Sequence, residues 1–152
     1  MNTRERIMSA MKMAMKDKDT LRVSTLRLVN AAIKEREIAL RGDEDAGDID
    51  GDEILQILSK MVKQRDDSVK AYEEAGREDL ASRERAEIKV IREFLPKPLT
   101  EEEMAKAVED AIRDTGASSI KDMGKVMGAL KAAYAGRMDF GAAGGKLKAI
   151  LG

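Results

Sequence analysis

The chain has only two prolines, Pro96 and Pro98, and they stand two residues apart. Proline fixes its own φ, lacks a backbone N–H and disfavours helix in the residue before it, so no helix can continue through this point. On both sides of the prolines, apolar residues recur at spacings of three and four, and no stretch alternates as a half-buried strand would. The sequence therefore predicts an all-α protein with an N-terminal domain at 1–95, a proline linker at 96–99 and a C-terminal domain at 100–152.

Helix-end signals and periodicity predict four helices in the N-terminal domain, at about residues 2–17, 20–41, 51–75 and 78–94. The second of these helices has a narrow polar stripe and is apolar at most of its other positions, including Leu21, Leu26, Leu28 and Ile33. A helix with so little polar surface is typically surrounded by other helices, so we expect it at the centre of a four-helix bundle. The polar stripe consists of Arg27, Asn30, Lys34, Glu37 and Arg41.

Residues 42–50 are rich in Gly and Asp and separate the second helix from the third. Their acidic residues do not fall at the positions that an EF-hand calcium loop requires, so a solvated acidic turn is expected. Asp50, followed by Glu53 three residues later, resembles a capping box at the start of the third helix.

Three helices are predicted in the C-terminal domain. Thr100 and Glu103 are typical of a capping box, and Gly116 is typical of the position just after a helix. The helices are expected to begin at about Thr100, at Ser118 or Ser119, and at about Phe140. In the second of them, one apolar face is predicted from the spacing of Ile120, Met123, Met127, Leu130 and Tyr134.

The composition excludes several classes of enzyme. The chain has no His and no Cys, which removes the usual zinc sites, thiol nucleophiles and every His-based catalytic dyad or triad. We expect no catalytic residue, no metal ion and no cofactor. There is no apolar run of about 18 residues and no secretory signal, so we expect no membrane contact and a cytoplasmic location.

Two glycines, Gly124 and Gly128, lie inside the second helix of the C-terminal domain, where each costs about 1 kcal/mol relative to alanine. At about 100° per residue they form a strip beside the apolar face, with Lys121, Lys125 and Lys131 at its edges. Such a strip suits close packing of another helix, which the spacing alone favours, and it also suits contact with a phosphate backbone. The near-neutral charge of the whole chain does not argue for nucleic acid, but residues 115–152 contain six bases and two acids, which is compatible either with nucleic acid or with an ordinary solvated surface.

Four segments resemble the GatB/YqeY family. They are MGKVMG at 123–128, AGRMD at 135–139, TLRLVNAAIK at 25–34 and FLPKPLTEEE at 94–103, in the family's order and spanning nearly the whole chain. The family includes small stand-alone YqeY proteins and the tail of the B subunit of the tRNA-dependent amidotransferase. The resemblance implies an all-helical module related to a tRNA-contacting tail.

The resemblance implies no catalysis by this chain alone, because the amidotransferase reaction belongs to a large domain that the chain lacks. We expect a non-catalytic module that binds tRNA or another structured RNA, with other proteins of aminoacyl-tRNA synthesis as further partners. The alternatives are a protein-interaction adaptor, or an accessory factor of a glutamine-dependent carbon–nitrogen ligase. The residues expected to contact nucleic acid are Lys121, Gly124, Lys125, Gly128, Lys131, Arg137, Lys146 and Lys148.

Overall fold

The computed structural model describes residues 1–40, 49 and 51–152. Within these residues the chain forms seven α-helices and one 3₁₀ turn, with no strand, so the prediction of an all-α protein is confirmed. The predicted end of the second helix at 41–42, the acidic turn and the Asp50 capping position lie outside the described residues. The elements are α1 Thr3–Lys16, α2 Thr20–Leu40, α3 Gly51–Glu74, α4 Glu78–Arg92, α5 Glu101–Thr115, the 3₁₀ turn Ile120–Asp122, α6 Met123–Tyr134 and α7 Phe140–Leu151.

The chain divides into two compact units, Met1–Pro96 and Lys97–Gly152. Each unit has a hydrophobic core of its own, one built from α1–α4 and the other from α5–α7. That the two units are separate folding domains stays a prediction.

The first unit consists of two helical hairpins. Between α1 and α2 the chain turns at Lys18, which has a positive φ of 56°, and Asp19 Oδ1 then accepts a hydrogen bond of 3.1 Å from the Arg22 N–H. Between α3 and α4 it turns at Gly76, where φ is 69°. The shared core is aliphatic, and its fully buried members are Ile7, Leu26, Val29, Leu58 and Ile91.

A buried ion pair links α3 to α4. Arg65 Nε donates to Glu87 Oε2 at 3.0 Å, and the two side chains are only 14% and 10% exposed. Arg65 Nη1 also donates to the Met61 carbonyl at 3.2 Å. Because removing one partner would leave a buried charge uncompensated, this pair favours one register of the hairpin.

The position predicted for α2 is wrong, since α2 buries only one face. Leu26, Val29 and Ile33 lie in the core, but Leu28 is 47% and Ile38 is 55% exposed. The reason is that the polar stripe is not the whole solvent-facing side of α2. Arg27 and Lys34 of the stripe are exposed, and Glu37 forms an ion pair with Arg4 of α1. The solvent-facing side therefore extends beyond the stripe and includes apolar residues.

The second unit begins with the predicted capping box. Thr100 Oγ1 accepts from the Glu103 N–H and Glu103 Oε1 accepts from the Thr100 N–H, each at 3.1 Å. The hydrogen bond from the Thr100 backbone holds the pKa of the Glu103 carboxyl below its ordinary value, because it stabilises the charged form. At the other end of α5, Gly116 has a φ of 68°, as expected for a residue that ends a helix.

The predicted apolar face of α6 is partly wrong. Val126 and Leu130 are its buried residues, whereas Ile120 is 46% exposed. Ile120 belongs to the 3₁₀ turn, which has three residues per turn, so it is out of line with the α-helix that starts at Met123. Val126, which the predicted face did not include, is fully buried.

Candidate nucleic-acid interface

The two glycines of α6 lie on its outward side. Val126 and Leu130 point into the core of the second unit, while Gly124 and Gly128 are exposed. A Cβ atom added at either glycine would meet no atom within 4 Å. No described residue therefore packs closely on this strip, and the glycines are not required by contacts within the described part of the chain.

Exposed lysines edge the strip. Lys121, Lys125 and Lys131 are all exposed, and none forms an ion pair with a carboxylate of the described residues. The nearest acid, Asp122, is held in place by hydrogen bonds from the Ser118 and Ser119 N–H groups at 3.0 and 3.3 Å. These bonds, with a smaller contribution from the Lys125 charge, lower the pKa of Asp122 below its ordinary value. The three ammonium groups remain available to an outside anion.

Arg137, which the sequence assigns to phosphate contact, also has a structural role. Its Nε donates to the Lys97 carbonyl at 2.9 Å, and its own carbonyl accepts from the Leu99 N–H at 2.8 Å. Arg137 thus holds the first residues of the second unit against the segment after α6. These hydrogen bonds join residues far apart in the sequence, so no local sequence pattern predicts them.

Lys146 and Lys148 flank the fully buried Leu147, so they lie on opposite edges of α7. Lys148 follows Gly144 by one turn, and a Cβ at Gly144 would lie 3.5 Å from Met123 Cε at the start of α6. Lys148 therefore lies on the edge of α7 that meets α6, and Lys146 lies on the other edge. The structure places Lys125, Lys131 and both glycines on one face of α6, with Lys121 in the 3₁₀ turn just before this helix. Lys148 lies on the edge of α7 toward α6, and Lys146 lies apart.

Sequence reasoning missed a residue that extends the strip. Ala132 follows Gly128 by four residues and is exposed, as is Ala129. The result is a smooth surface along most of α6, and the spacing of small residues at 124, 128 and 132 is the signal that would have found it. The charges of this unit are also segregated, since α5 carries six acids against two bases.

The first unit contains an open cavity of about 370 Å³ between the α1–α2 turn and the end of α4. Three of its charged side chains contact one another or the backbone nearby. Arg22 forms an ion pair with Glu93, and Arg6 donates to the Glu93 carbonyl at 2.9 Å while lying 5.6 Å from the centre of the Phe94 ring. These three groups are therefore already engaged within the first unit.

Within residues 1–40, 49 and 51–152, no group of acidic side chains converges in a way that could hold a metal ion. Among the helices of the same residues, none combines the length and hydropathy needed to cross a membrane.

Curated relatives that match this chain include fungal proteins named "Altered inheritance of mitochondria protein 41, mitochondrial". The relative from Vanderwaltozyma polyspora is 40% identical over 87 residues, which are 56% of this chain and 44% of the relative. The relative from Kluyveromyces lactis is 35% identical over 102 residues, 65% of this chain and 53% of the relative. That from Saccharomyces cerevisiae is 28% identical over 123 residues, 78% of this chain and 64% of the relative. The chain thus spans about half the length of these relatives.

The expected cytoplasmic location is contradicted by this comparison, because the relatives are named as mitochondrial proteins. The physical reason is that a cysteine-free composition and the lack of a secretory signal fit any reducing compartment, so they do not distinguish the cytoplasm from another one.

A family description, that of YqeY-like proteins, matches residues 4–151. The match covers all seven helices except Thr3, the first residue of α1, and nearly the full length of the chain. This protein therefore belongs to the YqeY-like family.

Proposed function

We propose that this chain is a non-catalytic helical module that binds tRNA or another structured RNA through the outward face of α6 and the adjoining edge of α7. The observation that carries the proposal is the exposed Gly124–Gly128 strip with unpaired lysines along its edges. Two glycines inside a helix lower its stability, and they are useful where another molecule must approach the helix backbone closely. No described residue packs on this strip, so we infer that an outside partner does.

The charges fit a phosphate backbone. Lys121, Lys125, Lys131 and Lys148 present ammonium groups on one side of the unit, while the acidic surface of α5 repels a polyanion. Contacts of this type read the shape of a folded RNA rather than its sequence. They also release counterions, so the affinity should fall steeply as salt is added.

The resemblance to the tail of the tRNA-dependent amidotransferase B subunit supports tRNA as the RNA. The proposal assigns no catalytic residue to this chain, and links it to carbon–nitrogen ligase activity only as an accessory factor that contacts tRNA. A mitochondrial location is part of the proposal on the strength of the relatives' names alone.

The second candidate is a protein-interaction adaptor, in which the strip accepts a partner helix. The four-residue spacing of Gly124, Gly128 and Ala132 favours it, because small residues let two helix backbones approach closely. Pull-down with the tagged chain, before and after nuclease treatment, separates the two candidates. We expect nuclease to release the partners; partners that persist through nuclease but are lost from a Gly128→Leu variant would favour the adaptor.

Replacing Gly128 by alanine is expected to raise the free energy of unfolding of the second unit by about 0.5–1 kcal/mol, since the added methyl meets open space inside a helix. The same change should weaken RNA binding, as expected for a residue kept for function rather than stability. Urea unfolding monitored by circular dichroism, together with RNA titration, measures both effects.

The matched control is Gly116→Ala, where φ is 68° and a side chain is strained. It should lower stability by about 1 kcal/mol. If Gly128→Ala instead destabilised the unit and left RNA binding unchanged, the functional interpretation of the strip would be wrong.

A further inference from the structure

The linker predicted at residues 96–99 is held at its far end by the second unit. Arg137 Nε donates to the carbonyl oxygen of Lys97 at 2.9 Å, and the Leu99 N–H donates to the Arg137 carbonyl oxygen at 2.8 Å. The two hydrogen bonds lie on either side of Pro98, which has no N–H of its own to donate. Among the described residues, no other hydrogen bond joins the segment between them to the rest of the unit. Arg137 therefore supplies both polar contacts of this segment.

The backbone of Arg137 is fixed independently of its side chain. Gly136 is buried with a φ of 77°, and Met138 is buried in the core of the second unit. Between them, the Arg137 N–H donates to the Tyr134 carbonyl oxygen at 3.0 Å. Because the backbone is anchored on both sides, the guanidinium group loses less conformational freedom when it bonds to Lys97, and a pre-organised contact of this kind is stronger.

The first unit holds the other end of the linker. Phe94 is buried in the core of that unit, and the Leu95 N–H donates to the Arg92 carbonyl oxygen at 3.1 Å. The chain is therefore anchored in one unit as far as Leu95 and in the other from Lys97. Between these two anchors lies Pro96, whose φ is fixed by its ring. The connection that the sequence predicts at 96–99 is thereby reduced to Pro96.

The surroundings of the guanidinium group oppose a phosphate contact by Arg137, which is half-buried. The hydrogen bonds from Thr100 are the main cause of the lowered pKa of the Glu103 carboxyl, and the nearby Arg137 charge contributes to it. A phosphate approaching Arg137 would therefore also meet a negative carboxylate. Lys131, by contrast, is exposed, and its ammonium group forms no hydrogen bond or ion pair with a described residue.

We infer that Arg137 is a positioning residue that clasps the chain on both sides of Pro98 and so confines the joint between the two units to Pro96, and that it makes no phosphate contact. With the clasp closed, Lys97 and Leu99 move as part of the second unit. With the clasp open, the joint extends over 96–99, and a longer joint has more conformations. The part of the inference that concerns phosphate rests on the proposed RNA binding, whereas the clasp does not.

The clasp is tested in the full chain by Arg137→Gln, which removes the Nε donor and its charge. The order parameters of the Lys97 and Leu99 N–H groups, measured by NMR relaxation, should be about 0.85 in the unmodified chain and below about 0.6 in the variant. Amide exchange of Leu99 should become at least about tenfold faster, because a hydrogen bond from a charged group no longer holds the segment. Lys131→Gln, with the same change in net charge, should leave both quantities unchanged.

The absence of a phosphate contact is tested by titration of fluorescently labelled total tRNA at several salt concentrations. Arg137→Gln should keep the salt slope of the unmodified chain, whereas Lys131→Gln should lower it by about 1 because one phosphate contact is lost. An equal decrease in the Arg137→Gln variant would show that Arg137 contacts phosphate. If the unmodified chain bound no tRNA, the proposed function would fail, and the NMR and exchange measurements would still decide the clasp.

Unchanged order parameters and exchange of Leu99 in Arg137→Gln would overturn the clasp. Exchange of the buried Val126 and Leu130 amides reports whether the second unit remains folded, and it should not change. If Arg137→Gln unfolds the unit, Arg137→Lys takes its place, since lysine keeps the charge but lacks the planar Nε–H donor. Exchange of Leu99 should then still accelerate by at least about threefold, and no acceleration would equally overturn the clasp.

Discussion

Reversing the charges of Lys121 and Lys125 together is expected to weaken tRNA binding by about 30-fold or more at moderate salt. Two phosphate contacts are lost and two repulsive charges take their place, and each contact of this type contributes on the order of 1 kcal/mol. The dependence of the logarithm of the affinity on the logarithm of salt concentration should also become shallower, by about 2 in slope. Both lysines are exposed and make no ion pair with described residues, so the fold should tolerate the change.

The matched control is Lys60→Glu/Lys106→Glu, which alters exposed lysines of α3 and α5 and changes the net charge equally. This control should reduce the affinity for tRNA only slightly, through the long-range electrostatic field of the protein. Anisotropy titrations at several salt concentrations give affinity and slope together, and circular dichroism checks the helix content. Equal losses in the two double variants would show that only the total charge matters and that α6 is not the contact face.

Replacing Leu147 by alanine is expected to unfold the second unit while leaving the first folded. Leu147 is fully buried among Val108, Val126 and Leu130, and a substitution of this kind costs about 2–5 kcal/mol. The unit Lys97–Gly152 is small, and a unit of this size has a low free energy of unfolding because it buries a small fraction of its surface. The variant should therefore lose part of its helical signal and its RNA binding.

Ile150→Ala is the matched control, because Ile150 is on the same helix but 56% exposed. It should change the stability by less than about 0.5 kcal/mol. Amide hydrogen exchange resolves the two units, and we expect Leu147→Ala to accelerate exchange in α5–α7 only. Equal acceleration in α1–α4 would show one cooperative structure and would contradict the prediction of two folding domains.

Much of the helical framework was predictable because its signals are local. Thr100 with Glu103 marks the start of α5 by the hydrogen bonds that both residues make, and Gly116 marks its end by a positive φ. The faces of the helices were harder to predict. The 3₁₀ turn before α6 moved Ile120 out of the core, and α2 exposes Leu28 and Ile38 although its polar stripe is narrow.

In the candidate site too, features set by local spacing were predictable and features set by tertiary contacts were not. The spacing was sufficient to place Gly124, Gly128, Lys125 and Lys131 on one face of α6, but it did not show that Lys121 precedes this helix in a 3₁₀ turn. That these residues contact nucleic acid stays a prediction. The role of Arg137 was not predictable, because its bond to the Lys97 carbonyl joins residues 40 positions apart. The prediction of a cytoplasmic location was wrong, because the composition indicates only a reducing environment and does not distinguish one reducing compartment from another.

The central claim is direct binding of structured RNA, and titration of the purified chain into fluorescently labelled total tRNA at two salt concentrations tests it most directly. The account predicts a dissociation constant of about 1 µM or tighter at low salt, marked weakening at high salt, and weaker binding to a duplex DNA control. No binding to tRNA even at low salt would contradict it, and would leave the protein-interaction adaptor as the function to pursue.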